Sequence, residues 1–223
     1  VSIIHPLIIN NREIISNVFF APINPGGISD GIISNKYIDF FVQHSGNGIG
    51  ICYVGNVALQ KSWTSNKNTA VVGKTSKRQW SDLVNQIEEQ GSLPGIQLAW
   101  KPFEINMQRS FITENKEEQI KIYKEFYYRF KDFDEVADLF VENINIVKEL
   151  GFQVIQLHAA HGYALSVLLS RTISGCKHPK DTKGIAVLDK IMKKLNTLNV
   201  IYDIRLSIYE GINDNLDELE YKT

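Results

Sequence analysis

The chain has 223 residues, and its 24 Lys+Arg stand against 25 Asp+Glu, a formal net charge of −1. Hydrophobic residues at 43% and charged residues at 22% are close to the averages of folded domains, which excludes a disordered chain. The absence of a basic excess argues against a general nucleic-acid binder, whose electrostatic footprint needs positive charge.

Short apolar runs alternate with longer stretches of helical period, the pattern of repeated βα units. The first strand is expected at Val18-Phe19-Phe20-Ala21-Pro22-Ile23, ending in the turn-rich Asn24-Pro25-Gly26-Gly27. Tyr37, Phe40 and Phe41 mark a helix from about Lys36 to Gln43. The second strand runs from Gly48 to Asn56, with small residues that suit burial on both faces. Trp80, Leu83, Val84 and Ile87 give one apolar face to a helix near Lys77 to Gln90, and the third strand is Pro94 to Trp100. Residues 101–132, rich in charges and aromatics, depart from the repeat; the run 126–130 reads as packing and the charges around Lys116 to Glu118 as a solvated helix face. A strong helix follows from about Asp134 to Leu150, stopped by Gly151. The fourth strand is Gln153 to His158, a helix fits Gly184 to Asn196, and the fifth strand is Val200 to Ser207.

Strand starts near 18, 48, 95, 154 and 200 recur about every 45 residues, which predicts a parallel sheet with helices between its strands. Asn24, Asn56, Gln97, His158, His161 and Arg205 sit at or just beyond the C-terminal ends of these strands. That end is the reactive face of a βα barrel and the ligand face of a doubly wound sheet. Neither a G-x-G-x-x-G after a strand nor a phosphate-loop motif is present.

The densest cluster is Leu157-His158-Ala159-Ala160-His161-Gly162-Tyr163. Two imidazoles and a phenol within six positions can converge on one small ligand, the imidazoles donating to an oxygen and the phenol passing a proton to carbon. A zinc site on His158 and His161 is weaker, because no third ligand stands at close spacing. Arg205 stands out within an apolar strand, since burying an unpaired cation is costly. Gln97 taken alone reads equally as a satisfied strand polar or a ligand, and Gly55 alone as a packing residue.

Residues 151–163, Gly-Phe-Gln-Val-Ile-Gln-Leu-His-Ala-Ala-His-Gly-Tyr, resemble the G-F-D-x-V-E-I-H-x-A-H-G-Y signature of the old yellow enzyme family, FMN-dependent NAD(P)H oxidoreductases built on a TIM barrel. Asn17 to Ile23, Val54 to Val57, Gln97-Leu98 and Ile204 to Ser207 are similar to the family's other strand motifs, in its own order along nearly the whole chain. The resemblance implies that the backbone of Pro22 and Ile23 and the side chain of Asn24 face the flavin. It implies that Gly55 lets the ring lie close, that Gln97 bonds the pyrimidine edge, and that Arg205 sets positive charge by N1 and O2. His158 and His161 would bind the substrate oxygen, and Tyr163 would protonate its α-carbon after hydride transfer. The implied partners are NADH or NADPH and a small electrophile such as an activated alkene; self-association into a homo-oligomer is compatible with the pattern.

Departures accompany the resemblance. Val18 stands where the family usually carries arginine, Trp100-Lys101-Pro102 replaces its histidine motif, Gln156 replaces a glutamate, and the loop 174–184 has lost its pattern. Eight strands at this spacing would need more than about 330 residues, so the chain is expected to carry the first five βα units of the barrel. Residues 1–223 then form an incomplete FMN-binding barrel, without strands six to eight and the phosphate loops, as part of a longer polypeptide. The alternative is a non-catalytic binding or scaffold remnant of the same fold.

Cys52 and Cys176 cannot build a disulfide framework or a multi-cysteine metal site and read as free thiols of a reducing compartment. No apolar stretch approaches the roughly 20 residues that span a bilayer. The opening Val1-Ser2-Ile3-Ile4-His5-Pro6 lacks the basic segment and apolar core of a secretory signal, so a cytoplasmic location is expected.

Overall fold

Strands and helices alternate along the chain in the computed structural model, which describes residues 4–9, 11–102, 105, 116–198 and 200–207. The strands are β1 (Leu7–Ile9), β2 (Arg12–Ile14), β3 (Phe19–Phe20), β4 (Ile28–Ser29), β5 (Ile32–Ile33), β6 (Ile51–Ala58), β7 (Ala70–Val71), β8 (Leu93–Ala99), β9 (Val154–Ala159) and β10 (Ile201–Leu206). The helices are α1 (Asn35–Gln43), α2 (Lys77–Glu89), α3 (Lys116–Arg129), α4 (Phe133–Glu149), α5 (Ala164–Leu169), α6 (Arg171–Ser174) and α7 (Lys183–Leu195). Two compact units result. Unit one holds Val1–Ala99, Glu142–Leu157 and Asn199–Asp203; unit two holds Trp100–Val141, His158–Leu198 and Ile204–Thr223.

In unit one the strands follow the order β10-β9-β8-β6-β3, with β7 on β6, and every pairing from β3 to β9 is parallel. Period two divides the strands into two faces. On one, Ile51, Tyr53, Val154 and Ile201 form a core with Ile14, supported by Leu7, Ile9 and Leu93, so the β1–β2 hairpin covers the N-terminal part of that face. On the other, Cys52 reaches the Phe41 carbonyl of α1, and α2 packs on β8 through its buried Trp80, Leu83, Val84 and Ile87. Ser76 caps α2 by accepting from the Gln79 amide at 3.3 Å. The Trp80 ring meets Phe152 edge-on at 5.9 Å. Because β8 and β9 are covered on both sides, they read as continuous apolar runs interrupted only by small residues, Gln97, Gln156 and His158.

In unit two, α3 packs on α5 and α6, and α5 on α7. Trp100 stands against Phe126 and Phe130 at 5.8 and 5.3 Å, while Tyr127 and Phe130 are buried, so the aromatic run is packing. Lys183 donates to the carbonyls of Tyr127 and Phe130, each at 2.6 Å, and so closes the C-terminal end of α3; burial, aided by the Lys131 charge, lowers its pKa.

Two expected boundaries shift for backbone reasons. The first strand shrinks to Phe19–Phe20, since Pro22 has no N–H to give a ladder. The second begins at Ile51 rather than Gly48, because residues 46–48 turn with positive φ. Two hairpins are additional, each turned by a left-handed polar residue: Asn11 (φ 61°) between β1 and β2, and Asp30 (φ 50°) between β4 and β5. The segment 101–132 contains α3; its residues 103, 104 and 106–115 lie outside the described residues.

Candidate functional site

In unit one, Gln97 and Gln156 face each other in the β8–β9 register, and parallel pairing puts their side chains on one face. Gln97 Nε2 donates to Gln156 Oε1 at 2.6 Å, with Gln97 only 1% exposed. Opposite Gln97 the β6–β8 register slips between Val54 and Val57, a bulge that carries Gly55 at φ +132°. A Cβ there would stand 2.9 Å from the Gln97 carbonyl and 3.1 Å from the Val57 nitrogen. The glycine is therefore demanded by the backbone beside it, whatever ligand lies near. Pro22 is half-buried and Ile23 and Asn24 are exposed beyond β3; Asn24 Oδ1 accepts from the Gly26 amide at 3.5 Å.

Two further members lie beside Gln156. Tyr53 O–H donates to Asp203 Oδ2, whereas Asp203 Oδ1 is buried without a hydrogen-bond partner among the described residues. Burial raises the Asp203 pKa, while Tyr53 and the nearby Gln156 amide pull it back. Burial and the adjacent carboxylate raise that of Tyr53, so it keeps its proton and acts as donor.

In unit two, His158, His161 and Tyr163 come together. The Tyr163 ring lies 4.1 Å from that of His158 at 33°, and His161 meets His158 edge-on at 5.4 Å. His158 and Tyr163 are buried and His161 is exposed. Strand β9 delivers His158, and a tight turn delivers the other two: His161 and Gly162 both have positive φ, 57° and 66°. Lys101, 1% exposed, fastens that turn by donating to the Gly162 carbonyl at 2.9 Å, with its ammonium 4.8 Å from the centre of the Tyr163 ring. The turn is also tied at the His161 amide, which donates to Ser207 Oγ at 3.1 Å. The Tyr123 hydroxyl closes on Gly162, where a Cβ would stand 2.0 Å from it.

Burial does not single out Arg205. The arginine on strand β10 is half-buried, so its side chain does not bear the full desolvation cost that its sequence neighbours imply. Lys101 is the functional candidate that motif reasoning missed; its signal is a lone lysine directly after a buried strand, between Trp100 and a proline. Tyr53, Gln156 and Asp203 were also readable, each standing two residues before a singled-out position, Gly55, His158 or Arg205. Among the described residues no group of three or more His, Cys, Asp or Glu could hold a metal ion, and no helix is long and apolar enough to cross a membrane.

Chemically, unit one offers a buried carboxamide held by a second one, and unit two offers imidazole donors beside a phenol. Two solved structures share the fold. The Old Yellow Enzyme from Pichia sp. superposes with a TM-score of 0.71 at 15% identity, over 95% of this chain and 61% of that one. The old yellow enzyme from Trypanosoma cruzi does so with a TM-score of 0.74 at 13% identity, over 97% of this chain and 69% of that one. The fold class is thus that of a TIM barrel, carried in part, and the chain spans about two thirds of the length of these structures. No curated protein matches the sequence. Residues 2–177 match the family described as NADH:flavin oxidoreductase / NADH oxidase, and the chain belongs to that family.

Proposed function

We propose that the protein is an FMN-dependent oxidoreductase that accepts hydride from NADH or NADPH and delivers it to a small electrophile, an activated alkene or a related compound. The observation that carries the reading is the convergence of His158, His161 and Tyr163 within one unit of a family member. FMN fits the donor set of unit one in one respect that can be tested on the residues present. A flavin pyrimidine edge offers an imide N–H flanked by carbonyls, and a buried carboxamide such as Gln97 is its chemical complement.

In this reading Gln97, Gly55, Asn24 and the backbone at Pro22 and Ile23 hold the flavin, and Arg205 supplies positive charge toward it. Bound FMN supplies the two-electron chemistry. The chain's own residues do the rest. His158 and His161 donate hydrogen bonds to the substrate's oxygen and so polarise the electrophile. Tyr163 releases its Oη proton to the α-carbon, and Lys101 keeps the ring in place through Gly162. The chain supplies the first five βα units of the barrel, in a cytoplasmic protein.

Titration of the protein with FMN, followed by flavin absorbance, tests the reading: saturable binding is expected. A folded protein that takes up no flavin would instead favour a non-catalytic descendant of the fold. In the loaded protein, Tyr163→Phe is expected to slow alkene reduction while leaving reduction of the flavin by NAD(P)H nearly unchanged. Equal loss in both half-reactions would remove the proton-donor role.

A further inference from the structure

In unit two, helix α3 buries a row of side chains four residues apart: Gln119, Tyr123 and Tyr127. Two of the three are placed by their hydroxyls. Tyr127 Oη accepts from the Lys183 amide at 3.2 Å, and the Tyr123 hydroxyl closes on Gly162, in the turn that carries His161 and Tyr163. Passing from Tyr127 to Tyr123 therefore leads from the start of α7 to the turn of the imidazole and phenol. Gln119 stands one helical turn, about 6 Å, further along the same row. It is only 4% exposed, yet neither its Nε2 nor its Oε1 has a hydrogen-bond partner among the described residues. We propose that Gln119 is a specificity-determining residue of the His158, His161 and Tyr163 site, and that its carboxamide pairs with an amide group of the ligand bound there. The inference deepens the oxidoreductase reading above and rests on it.

The physical reason lies in what each end of the side chain lacks. A buried carboxamide with both ends unsatisfied carries the desolvation penalty of a donor and of an acceptor. Methionine would fill a similar volume without that penalty, so packing gives no account of the polar atoms. A ketone, an ester or a carboxylate relieves Nε2 alone, because each only accepts. An amide offers an N–H beside a C=O and relieves both ends at once. Two ligands of the reading above can bring such a group: the nicotinamide carboxamide of the reductant, and an α,β-unsaturated amide among the electrophiles.

The substitution Q119M keeps the length of the side chain and removes both polar ends. In the full chain without added cofactor, it is expected to raise the thermal unfolding midpoint by about 2 to 4 °C, since an unsatisfied buried amide is lost. A midpoint that is unchanged or lowered, or a variant that does not fold, would assign the carboxamide to the fold and overturn the proposal. In the flavin-loaded protein, two pairs of compounds locate the amide. NADH is compared with its 3-acetylpyridine analogue as reductant, and acrylamide with methyl acrylate as electrophile. For one pair, the ratio of kcat/KM for the amide to that for its analogue is expected to fall about tenfold from wild type to Q119M. A fall in the first pair assigns the nicotinamide, and a fall in the second assigns the electrophile. Ratios that stay the same in both pairs would overturn the proposal. The unfolding measurement needs no flavin. In a chain that takes up no FMN, nicotinamide or acrylamide that still shifts the Gln119 side-chain amide resonances, assigned by their absence from Q119M, would uphold the role of Gln119 and overturn the flavin reading.

Discussion

The two units hold their polar groups by different means. In unit one, Gln97, Gln156, Tyr53 and Asp203 stand on regular strands, and register plus hydrogen bonds among the side chains decide where each atom points. In unit two, His161 and Tyr163 hang from a turn with two left-handed residues, held by a buried lysine on Gly162 and the Ser207 hydroxyl on His161. A strand needs no special residue to aim a side chain, because alternation does it. A left-handed turn opposes the preference of most residues, so it persists only where neighbours over-determine it. The cluster of two imidazoles and a phenol is therefore the more fragile of the two, and substitutions at its supports should cost more than substitutions beneath the carboxamides.

The largest contrast is expected between two glycines. Gly162→Ala combines a left-handed backbone with a Cβ 2.0 Å from the Tyr123 hydroxyl and should destabilise by about 4 kcal/mol in urea unfolding. Gly55→Ala, with its Cβ 2.9 Å from the Gln97 carbonyl, should cost about 2 to 3 kcal/mol. A reversed ranking would break the comparison. Next comes Lys101→Met, which leaves the Gly162 carbonyl without its charged donor; about 2 kcal/mol is expected from the same unfolding curves, with a wild-type cost rejecting the stapling role. The smallest effect is chemical. Cys52 in unit one is fully buried and its thiol is pushed up to about 12, whereas Cys176 in unit two is partly exposed. A thiol reagent at pH 8 should modify one cysteine promptly and the second only on unfolding; two prompt reactions would show that the unit-one core opens readily.

Legibility differed between these regions for identifiable reasons. Helices α2, α4 and α7 stand within a residue or so of their expected bounds, since Trp80, Leu83, Val84 and Ile87, or Val187, Leu188 and Ile191, recur at a helical period that only one structure satisfies. Strands β8 and β9 were equally plain, being short apolar runs between turn signals. The hairpins at Asn11 and Asp30 escaped because strands of two or three residues are too short to show a period. The cluster of His158, His161 and Tyr163 was visible from density alone, but Lys101 lies some 60 positions away and no local pattern couples it to Gly162. Arg205 is half-buried on β10, less covered than its apolar neighbours imply.

What the sequence determined by itself is the alternation of elements, the family, and the short segment that bears the imidazoles and the phenol. Those properties are local, written in periods of two and 3.6 and in residues close along the chain. Only the tertiary structure decided that the Gln97 carboxamide on β8 meets that of Gln156 on β9, and that a lysine after β8 fastens the turn after β9. Such links depend on strand order and register, which bring distant residues within about 3 Å of each other through backbone pairing that no single segment encodes.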